Sequence, residues 1–337
     1  MTAAHAVDVL IVSLGSTGGL RAADTELADS LRRAGASVAL ASATPPRPVR
    51  TLALTDLSWA LAARRAASAE LARQTPRAVI YSSTTAALLW PRPGAIRFDA
   101  PAAGNRPGRH GLWQRPLERR RLRQAPLLLP LSEGGLREVP EVARSVGRAL
   151  VLPVPIETSG VGPARRDIDA ITYGANPRKK GLDQVLAAWA RARCPSEELV
   201  IAGVNEEELR KAGLGLPEQG VRVTGMLAPT AYRALLRRAR VFVCAPRRED
   251  YGQAQLEALA DGCLLVTTTA PGPYAALPIA RELDPRLVSE DLTTALRTAL
   301  DEPVPGYAAR ASEALTPFSR AAVDGLVAAE LLPRLLP

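Results

Sequence analysis

Short apolar runs alternate with segments of helical period along most of the chain. The runs in the first half are 7–14, 36–41, 78–82, 95–98, 127–131 and 148–154, and those in the second half are 168–174, 198–203, 221–225, 240–246 and 263–268. Strands that alternate with amphipathic helices predict βαβ units, and therefore parallel sheets with helices on both faces.

The alternation is interrupted once, over residues 156–166, which contain Pro and Gly and have no apolar period. Such a segment is typical of a linker. A length of 337 residues also exceeds one ordinary domain. We therefore expect an α/β protein with two doubly wound, Rossmann-like domains, 1–155 and 167–305, that face an interdomain cleft. Helices predicted over 306–337 could pack back across both domains.

Composition excludes several classes of protein. Hydrophobic residues make up 47% and charged residues 23%, which is not the composition of a disordered chain. The first apolar run has no basic segment before it and is shorter than the roughly 20 residues that span a bilayer, so we expect a cytoplasmic protein. Three cysteines without C-x-x-C spacing and two distant histidines argue against a disulfide framework or a zinc site. We expect neither a metal nor a cofactor.

The net charge of +9 indicates attraction to anions. Nucleic acid is disfavoured because an aromatic content of 4% leaves few platforms for base stacking. A phosphorylated small molecule or an acidic membrane surface remains. Chemistry would then depend on carboxylates and basic side chains.

The most informative segment is 240–268, which is predicted to run strand, loop, helix, strand. Glu249 lies in the loop and Glu257 about five residues into the helix, roughly 7–8 Å further along the helix axis. Free N–H groups near Tyr251 and Gly252, together with the positive end of the helix, predict a phosphate site between the two carboxylates.

The two Glu residues, separated by seven positions and followed by A-L-A-D-G, resemble the E-x7-E motif of retaining GT-B glycosyltransferases of the family 4 type, also called glycosyl transferases group 1. The resemblance implies that Glu249 contacts the sugar of a nucleoside-diphosphate sugar and that Glu257 contacts its ribose hydroxyls. The other interpretation is a pair of surface carboxylates.

A second segment, YGANPRKKGLDQVLAAW at 173–189, is similar to the "G-R … K-G" segment of this family. The resemblance implies that Lys180 neutralises the donor diphosphate. Ala175 stands where the family has Arg, and either Arg178 or Lys179 is a candidate to replace it. Cations beside a helix N-terminus stabilise a departing diphosphate. The alternative is a solvated basic turn.

Two features of the first half also resemble the family. Gly18 and Gly19 resemble its N-terminal Gly-Gly loop, in which backbone N–H groups face phosphate or acceptor, although a tight turn is the other interpretation. Asp99 stands after the strand at 95–98, where the family often has His. It either hydrogen-bonds a sugar or acceptor hydroxyl or belongs to a strand-end turn.

Charged groups elsewhere have simpler interpretations. Five arginines crowd the predicted helix at Arg115–Arg123, which predicts either a solvated face or contact with an anionic membrane or acceptor. Asp167 and Asp169 form a D-x-D at the start of a strand, the end opposite the expected site, and we interpret them as structural.

The sequence therefore predicts a retaining, metal-independent transfer of a hexose-type sugar from a nucleoside-diphosphate sugar to a hydroxyl acceptor. The acceptor is a small molecule, a glycan or a lipid-linked glycan, and the enzyme is cytoplasmic, either free or at the inner membrane surface. Glu249, Lys180 and Asp99 are the predicted catalytic residues. A sugar phosphorylase and a non-catalytic sugar-nucleotide-binding protein remain alternatives.

Overall fold

A computed structural model describes residues 5–47, 49, 51–144, 147–163, 165–217 and 219–336. Contacts between residues group the chain into two units. Unit 1 is Met1–Pro155 with Arg320–Pro337, and unit 2 is Ile156–Ser319. Each unit contains one five-stranded sheet.

The sheet of unit 1 is parallel and has the order β2-β1-β3-β4-β5. Its strands are β1 (His5–Ser13), β2 (Val38–Ser42), β3 (Gln74–Tyr81), β4 (Ala95–Phe98) and β5 (Leu128–Pro130). Helices cover both faces of such a sheet, which is why its strands read as continuous apolar runs. The direction of winding reverses between β1 and β3.

Capping side chains set where the two long helices of unit 1 begin. The hydroxyl groups of Thr17 and Thr51 accept from the backbone N–H groups of Leu20 and Leu54, at 3.2 and 3.3 Å. The helices are α1 (Gly18–Arg33), α2 (Leu52–Arg73), α3 (Thr84–Ala87), α4 (Ala102–Asn105), α5 (Gln114–Gln124) and α6 (Glu133–Glu138), with 3-10 turns at Gly108–Gly111 and Glu141–Ala143.

The apolar run at 148–154 does not form the predicted strand. A single bridge joins Ala149 to Leu128, and no regular ladder follows it in the described residues. The N–H groups of Leu150 and Leu152 donate to the Leu128 and Pro130 oxygens at 2.9 and 2.8 Å, but Pro130 has no N–H group to donate in return, so the pairing stays a single bridge. The prediction of a sixth strand in the first half is wrong.

The sheet of unit 2 is also parallel and has the order β10-β9-β6-β7-β8. Its strands are β6 (Ile168–Tyr173), β7 (Leu199–Ala202), β8 (Val221–Gly225), β9 (Ala239–Cys244) and β10 (Leu264–Thr267). All five strands predicted for the second half are present. The winding reverses between β6 and β9, and a ligand site is expected outside the carboxyl ends of strands at such a switch point.

Trp189 and Phe242 are among the largest fully buried side chains of unit 2. The helices around its sheet are α7 (Leu182–Ala192), α8 (Glu206–Lys211), α9 (Pro229–Arg238), α10 (Gln253–Ala260), α11 (Ala276–Leu283), α12 (Leu292–Asp301) and α13 (Tyr307–Ala314), with 3-10 turns at Pro285–Leu287 and Thr316–Phe318. The predicted α/β fold of two doubly wound domains is confirmed.

The last helices of the chain belong to unit 1. They are α14 (Arg320–Leu326), a π-helical turn at Val327–Leu331 and α15 (Leu332–Leu335). Val323 and Val327 join a buried cluster that also contains side chains of α1 and β1. The Asp324 carboxylate accepts from the Arg33 guanidinium at 2.7 and 2.8 Å. These contacts attach the C-terminal segment to the first sheet.

The segment 156–166 has neither helix nor strand in its described residues; Ala164 lies outside them. It packs on unit 2, because the backbone N–H and hydroxyl of Ser159 donate to the Asp261 carboxylate at 2.8 and 2.9 Å. Ile156 is buried. None of the helices in the described ranges is both long and apolar enough to cross a membrane.

Candidate active site

The loops after β6 and β9 meet at the switch point of unit 2. Gly181 has φ +62°, and a Cβ placed on it would lie 1.7 Å from the backbone oxygen of Ala245. Only glycine fits this close approach of the two loops. The Arg247 backbone N–H donates to the Lys179 oxygen at 3.0 Å, and the Arg247 guanidinium is paired with Asp183 at 2.8 Å. The loops therefore hold each other in place.

This arrangement brings Lys180 and Glu249 into an ion pair. The Lys180 Nζ lies 2.7 Å from Glu249 Oε2, and the two side chains are 21% and 7% exposed. A pair with so little exposure is screened less by salt than an exposed surface pair. Glu249 is therefore a buried and paired carboxylate, whereas the alternative interpretation expected an exposed one.

A second ion pair lies beside the first. Lys179 Nζ is 3.0 Å from Asp250 Oδ2, and the Arg248 guanidinium donates to Asp250 at 2.7 Å. In these two ion-paired groups three cations accompany two carboxylates, which leaves an excess of positive charge. Arg178 is exposed and donates to the Ala212 oxygen at 3.5 Å. Sequence reasoning missed Arg248 because no pattern singled it out.

Helix α10 begins beside these pairs, directly after Gly252. Gly252 has φ +90°, and a Cβ there would lie 2.8 Å from the Tyr274 ring. The first N–H groups of α10 have no partners within the helix, and the helix dipole favours an anion at this end. Tyr251 is buried, and its backbone oxygen accepts from the Ala275 N–H at 2.9 Å.

Glu257 is the fifth residue of α10 and is only partly buried. Its Oε1 accepts from Gln253 Nε2 at 2.9 Å. Burial raises the pKa of its carboxyl group, and the nearby Arg233 guanidinium opposes that rise. A partly buried carboxylate with spare acceptor capacity is suited to hydroxyl groups of a ligand.

The predicted site residues of unit 1 lie at the carboxyl ends of its own strands. Gly18 and Gly19 are the exposed first residues of α1 and have helical backbone, whereas the left-handed residue of this loop is Gly15, with φ +58°. Asp99 directly follows β4, and its carboxylate accepts from the Ala100 N–H at 2.7 Å. That bond lies within the bend that follows β4.

The arginines of α5 do not behave alike. Arg115 donates to the Gly108 and Gly111 oxygens, and Arg121 lies over the Trp90 ring at 4.9 Å. Their contacts are within the fold. Arg119, Arg120 and Arg123 are exposed and have no ion pair in the described part of the chain.

Acidic residues do not gather into a metal site in the described ranges, where no group of three or more His, Cys, Asp or Glu could hold an ion. Asp167 and Asp169 are each paired with an arginine, Arg238 at 2.5 Å and Arg240 at 3.2 Å. The interpretation of this D-x-D as structural agrees with these pairs.

The family model described as Glycosyl transferases group 1 matches residues 169–302. This match lies within unit 2 and agrees with the resemblance on which the sequence prediction was based. The chain is 33% identical over 129 residues to a GDP-mannose:cellobiosyl-diphosphopolyprenol alpha-mannosyltransferase of Xanthomonas oryzae pv. oryzae, and 31% identical over 147 residues to the enzyme of the same name from Xanthomonas campestris. These matches cover 35% and 40% of this chain, and 33% and 38% of the relatives' length.

Solved structures are similar over nearly the whole chain. WaaG, a glycosyltransferase involved in lipopolysaccharide biosynthesis, has a TM-score of 0.70 at 17% identity, over 94% of this chain and 99% of its own. HepE of Anabaena, in complex with UDP and glucose, has a TM-score of 0.68 at 13% identity, over 96% and 99%. These likenesses confirm the predicted GT-B fold.

Proposed function

We propose that this chain is a glycosyltransferase that moves a hexose-type sugar from a nucleoside-diphosphate sugar to a hydroxyl acceptor, with retention of configuration and without a metal ion. The observation that carries the proposal is the Lys180–Glu249 ion pair beside the first turn of α10, at the switch point of unit 2.

The chemistry of transfer asks for stabilisation of negative charge. When the bond between sugar and diphosphate breaks, charge grows on the departing phosphate oxygens, and preorganised cations and N–H groups lower that barrier. Lys180 and the first turn of α10 supply such groups. Lys179 and Arg248 add further positive charge in the same two loops, and both are paired with Asp250. Glu249 is held by Lys180 and is therefore suited to orient the sugar rather than to attack it.

Protein cations take the place that a divalent ion has in metal-dependent transferases. We therefore expect turnover to persist in excess EDTA, with added Mg²⁺ or Mn²⁺ changing it little. Activity that a chelator abolishes and Mg²⁺ or Mn²⁺ restores would contradict this part of the proposal.

The names of the similar proteins suggest which ligands to test first. Solved structures of HepE contain UDP-glucose, and the Xanthomonas relatives are named for GDP-mannose and a diphosphopolyprenol-linked acceptor. We propose a lipid-linked glycan as the acceptor class. Exposed Arg119, Arg120 and Arg123 would assist by contact with anionic lipid, which predicts binding to vesicles containing phosphatidylglycerol and not to neutral ones.

A thermal-shift panel tests the binding half of the proposal. A ligand present at 100 times its dissociation constant stabilises the folded protein by about 2.7 kcal/mol. UDP, GDP, UDP-glucose and GDP-mannose should include at least one that raises the melting temperature, while the free sugars do not. If none of a full set of nucleoside diphosphates and their sugars raises it, the proposal is wrong. Retention is tested separately, by NMR of the anomeric proton in the product.

A further inference from the structure

A chain of buried polar groups lies behind Glu249. Gln255 is 1% exposed, and its Nε2 donates to Glu249 Oε2 at 3.1 Å. The same Nε2 lies 3.6 Å from Cys244 Sγ, which is itself 3.3 Å from Thr267 Oγ1. Thr267 Oγ1 and the Tyr274 hydroxyl are 3.0 Å apart. This chain continues the site into the core of unit 2.

Both contacts of the Glu249 carboxylate use one oxygen. Lys180 Nζ and Gln255 Nε2 lie 2.7 and 3.1 Å from Oε2, whereas Oε1 accepts no hydrogen bond from any described residue. The carboxylate is thus fixed through Oε2 and keeps Oε1 for a ligand. If Lys180 moves toward a bound phosphate, Gln255 is the contact that keeps Glu249 in place.

The orientation of Gln255 is determined by this contact. A carboxylate only accepts, so the amide must present its N–H group to Glu249. Its Oε1 is then left buried, without a hydrogen-bond partner in the described part of the chain. An unsatisfied buried acceptor lowers stability. Burial raises the pKa of the Cys244 thiol, so no second negative charge competes for the amide. This orientation costs stability at Oε1, and in return Nε2 donates to the Glu249 carboxylate and makes a weaker contact with the Cys244 sulfur.

We propose that Gln255 is a positioning residue, which holds the Glu249 carboxylate in the orientation that leaves Oε1 free for the donor sugar. This inference rests on the proposed function and adds a residue to it. Sequence reasoning had a weak signal for it: Gln255 is the third residue of α10, where long polar side chains reach back over the helix start.

The test replaces the amide by an apolar side chain of similar shape. Gln255→Met is compared with Gln114→Met, because Gln114 in unit 1 is equally buried and also has an unpartnered Oε1. Release of UDP from UDP-glucose and of GDP from GDP-mannose, with water or a lipid-linked glycan accepting the sugar, gives kcat and KM. Titration with free UDP and GDP gives their Kd, and thermal unfolding gives Tm.

For Gln255→Met we expect kcat to fall about 10- to 100-fold, since misplacing a catalytic group by about 1 Å has an effect of that size. The Kd of the free nucleotide should change less than about twofold, and Tm should not fall, because the orphaned acceptor is gone. Gln114→Met should keep wild-type kcat. Unchanged kcat in Gln255→Met, or a loss of kcat matched by equal losses of nucleotide affinity and Tm, would overturn the proposal.

A second variant tests the positioning role of Gln255 if Gln255→Met does not fold. In Gln255→Glu the new carboxyl can donate to Glu249 only while it is protonated. The titratable groups around it are Glu249 and Cys244, which Gln255 contacts, and Lys180 and Tyr274, which contact those two residues. Relative to wild type, kcat should recover as pH falls and be lost as pH rises. A wild-type pH profile would overturn the inference. Wild type without turnover of any donor would instead contradict the proposed function itself.

Discussion

Glu118 offers a sharp test of the electrostatics of unit 1, because it is an acid that the fold keeps out of water. It is 3% exposed, and its carboxylate accepts from the Ala102 N–H at 2.8 and 3.1 Å. Burial raises its pKa from 4.5 to about 7, while hydrogen bonds from Thr84 and Ala102 oppose the rise. The folded state therefore holds a proton that the unfolded chain has already released between these two pH values.

The sign and size of the effect follow from linkage. A folded-state pKa above the unfolded one favours folding fully below pH 4.5, and that contribution is lost as pH rises through about 7. A rise of this size corresponds to about 3 kcal/mol, at about 1.4 kcal/mol per pKa unit. Gln in this position cannot ionise. The free energy of unfolding of Glu118→Gln minus that of wild type should therefore grow by about 3 kcal/mol between pH 4.5 and 8.

Urea unfolding of wild type and Glu118→Gln at both pH values measures this difference. Trp fluorescence reports mainly on unit 1, which contains Trp59, Trp90 and Trp113, whereas Trp189 is in unit 2. Glu133→Gln, at an exposed position of the same unit, controls for loss of a carboxylate and should not show this growth. If the Glu118→Gln difference does not grow between the two pH values, the carboxyl is not held protonated and the reasoning is refuted.

Three further predictions concern the site. Lys180→Ala should lower kcat by about 10²- to 10³-fold, as removal of one charge-stabilising donor does, with a smaller change in donor Kd; equal changes in both would contradict a role in the transition state. Glu257→Ala should weaken the binding of free nucleoside diphosphate and of intact donor alike, whereas Glu249→Ala should weaken the binding of intact donor only. Titration of each variant with both ligands measures these affinities. Equal affinities in both variants and wild type would show that the two residues are surface charges. Gly181→Ala should lower Tm and turnover together, because its Cβ would lie 1.7 Å from the Ala245 oxygen; an unchanged Tm would show that the loops can separate.

The strands of unit 2 could be predicted because buried parallel strands are continuous apolar runs between helices of clear period. The run at 148–154 is equally apolar, but its partner Pro130 in β5 has no N–H group with which to complete the ladder. The hydrophobic pattern of a sequence does not show that a partner strand lacks an N–H group, and this is why a sixth strand was predicted at 148–154.

The site was predictable only in part. Glu249 and Lys180 stood out by resemblance to a family motif, and their contact follows from the adjacency of β9 and β6. Gln255 and Arg248 were missed because their partners are set by how two loops pack. The arginines of α5 look alike in the sequence. Arg121 nevertheless contacts the Trp90 ring and the Leu88 oxygen, because the tertiary structure places these groups near it, whereas Arg119 and Arg120 are exposed.

The central claim is that unit 2 turns over a nucleoside-diphosphate sugar through Lys180 and Glu249. The most direct measurement is the release of UDP or GDP from UDP-glucose and GDP-mannose, with water or a lipid-linked glycan accepting the sugar, by wild type, Lys180→Ala and Glu249→Ala. Arg210→Ala, at an exposed position of α8, is the control for loss of a charge elsewhere in unit 2. We expect turnover of at least one donor by wild type and by Arg210→Ala, and a loss of about 10²-fold or more in the two site variants. Turnover that survives in both site variants would show that Lys180 and Glu249 do not carry the reaction.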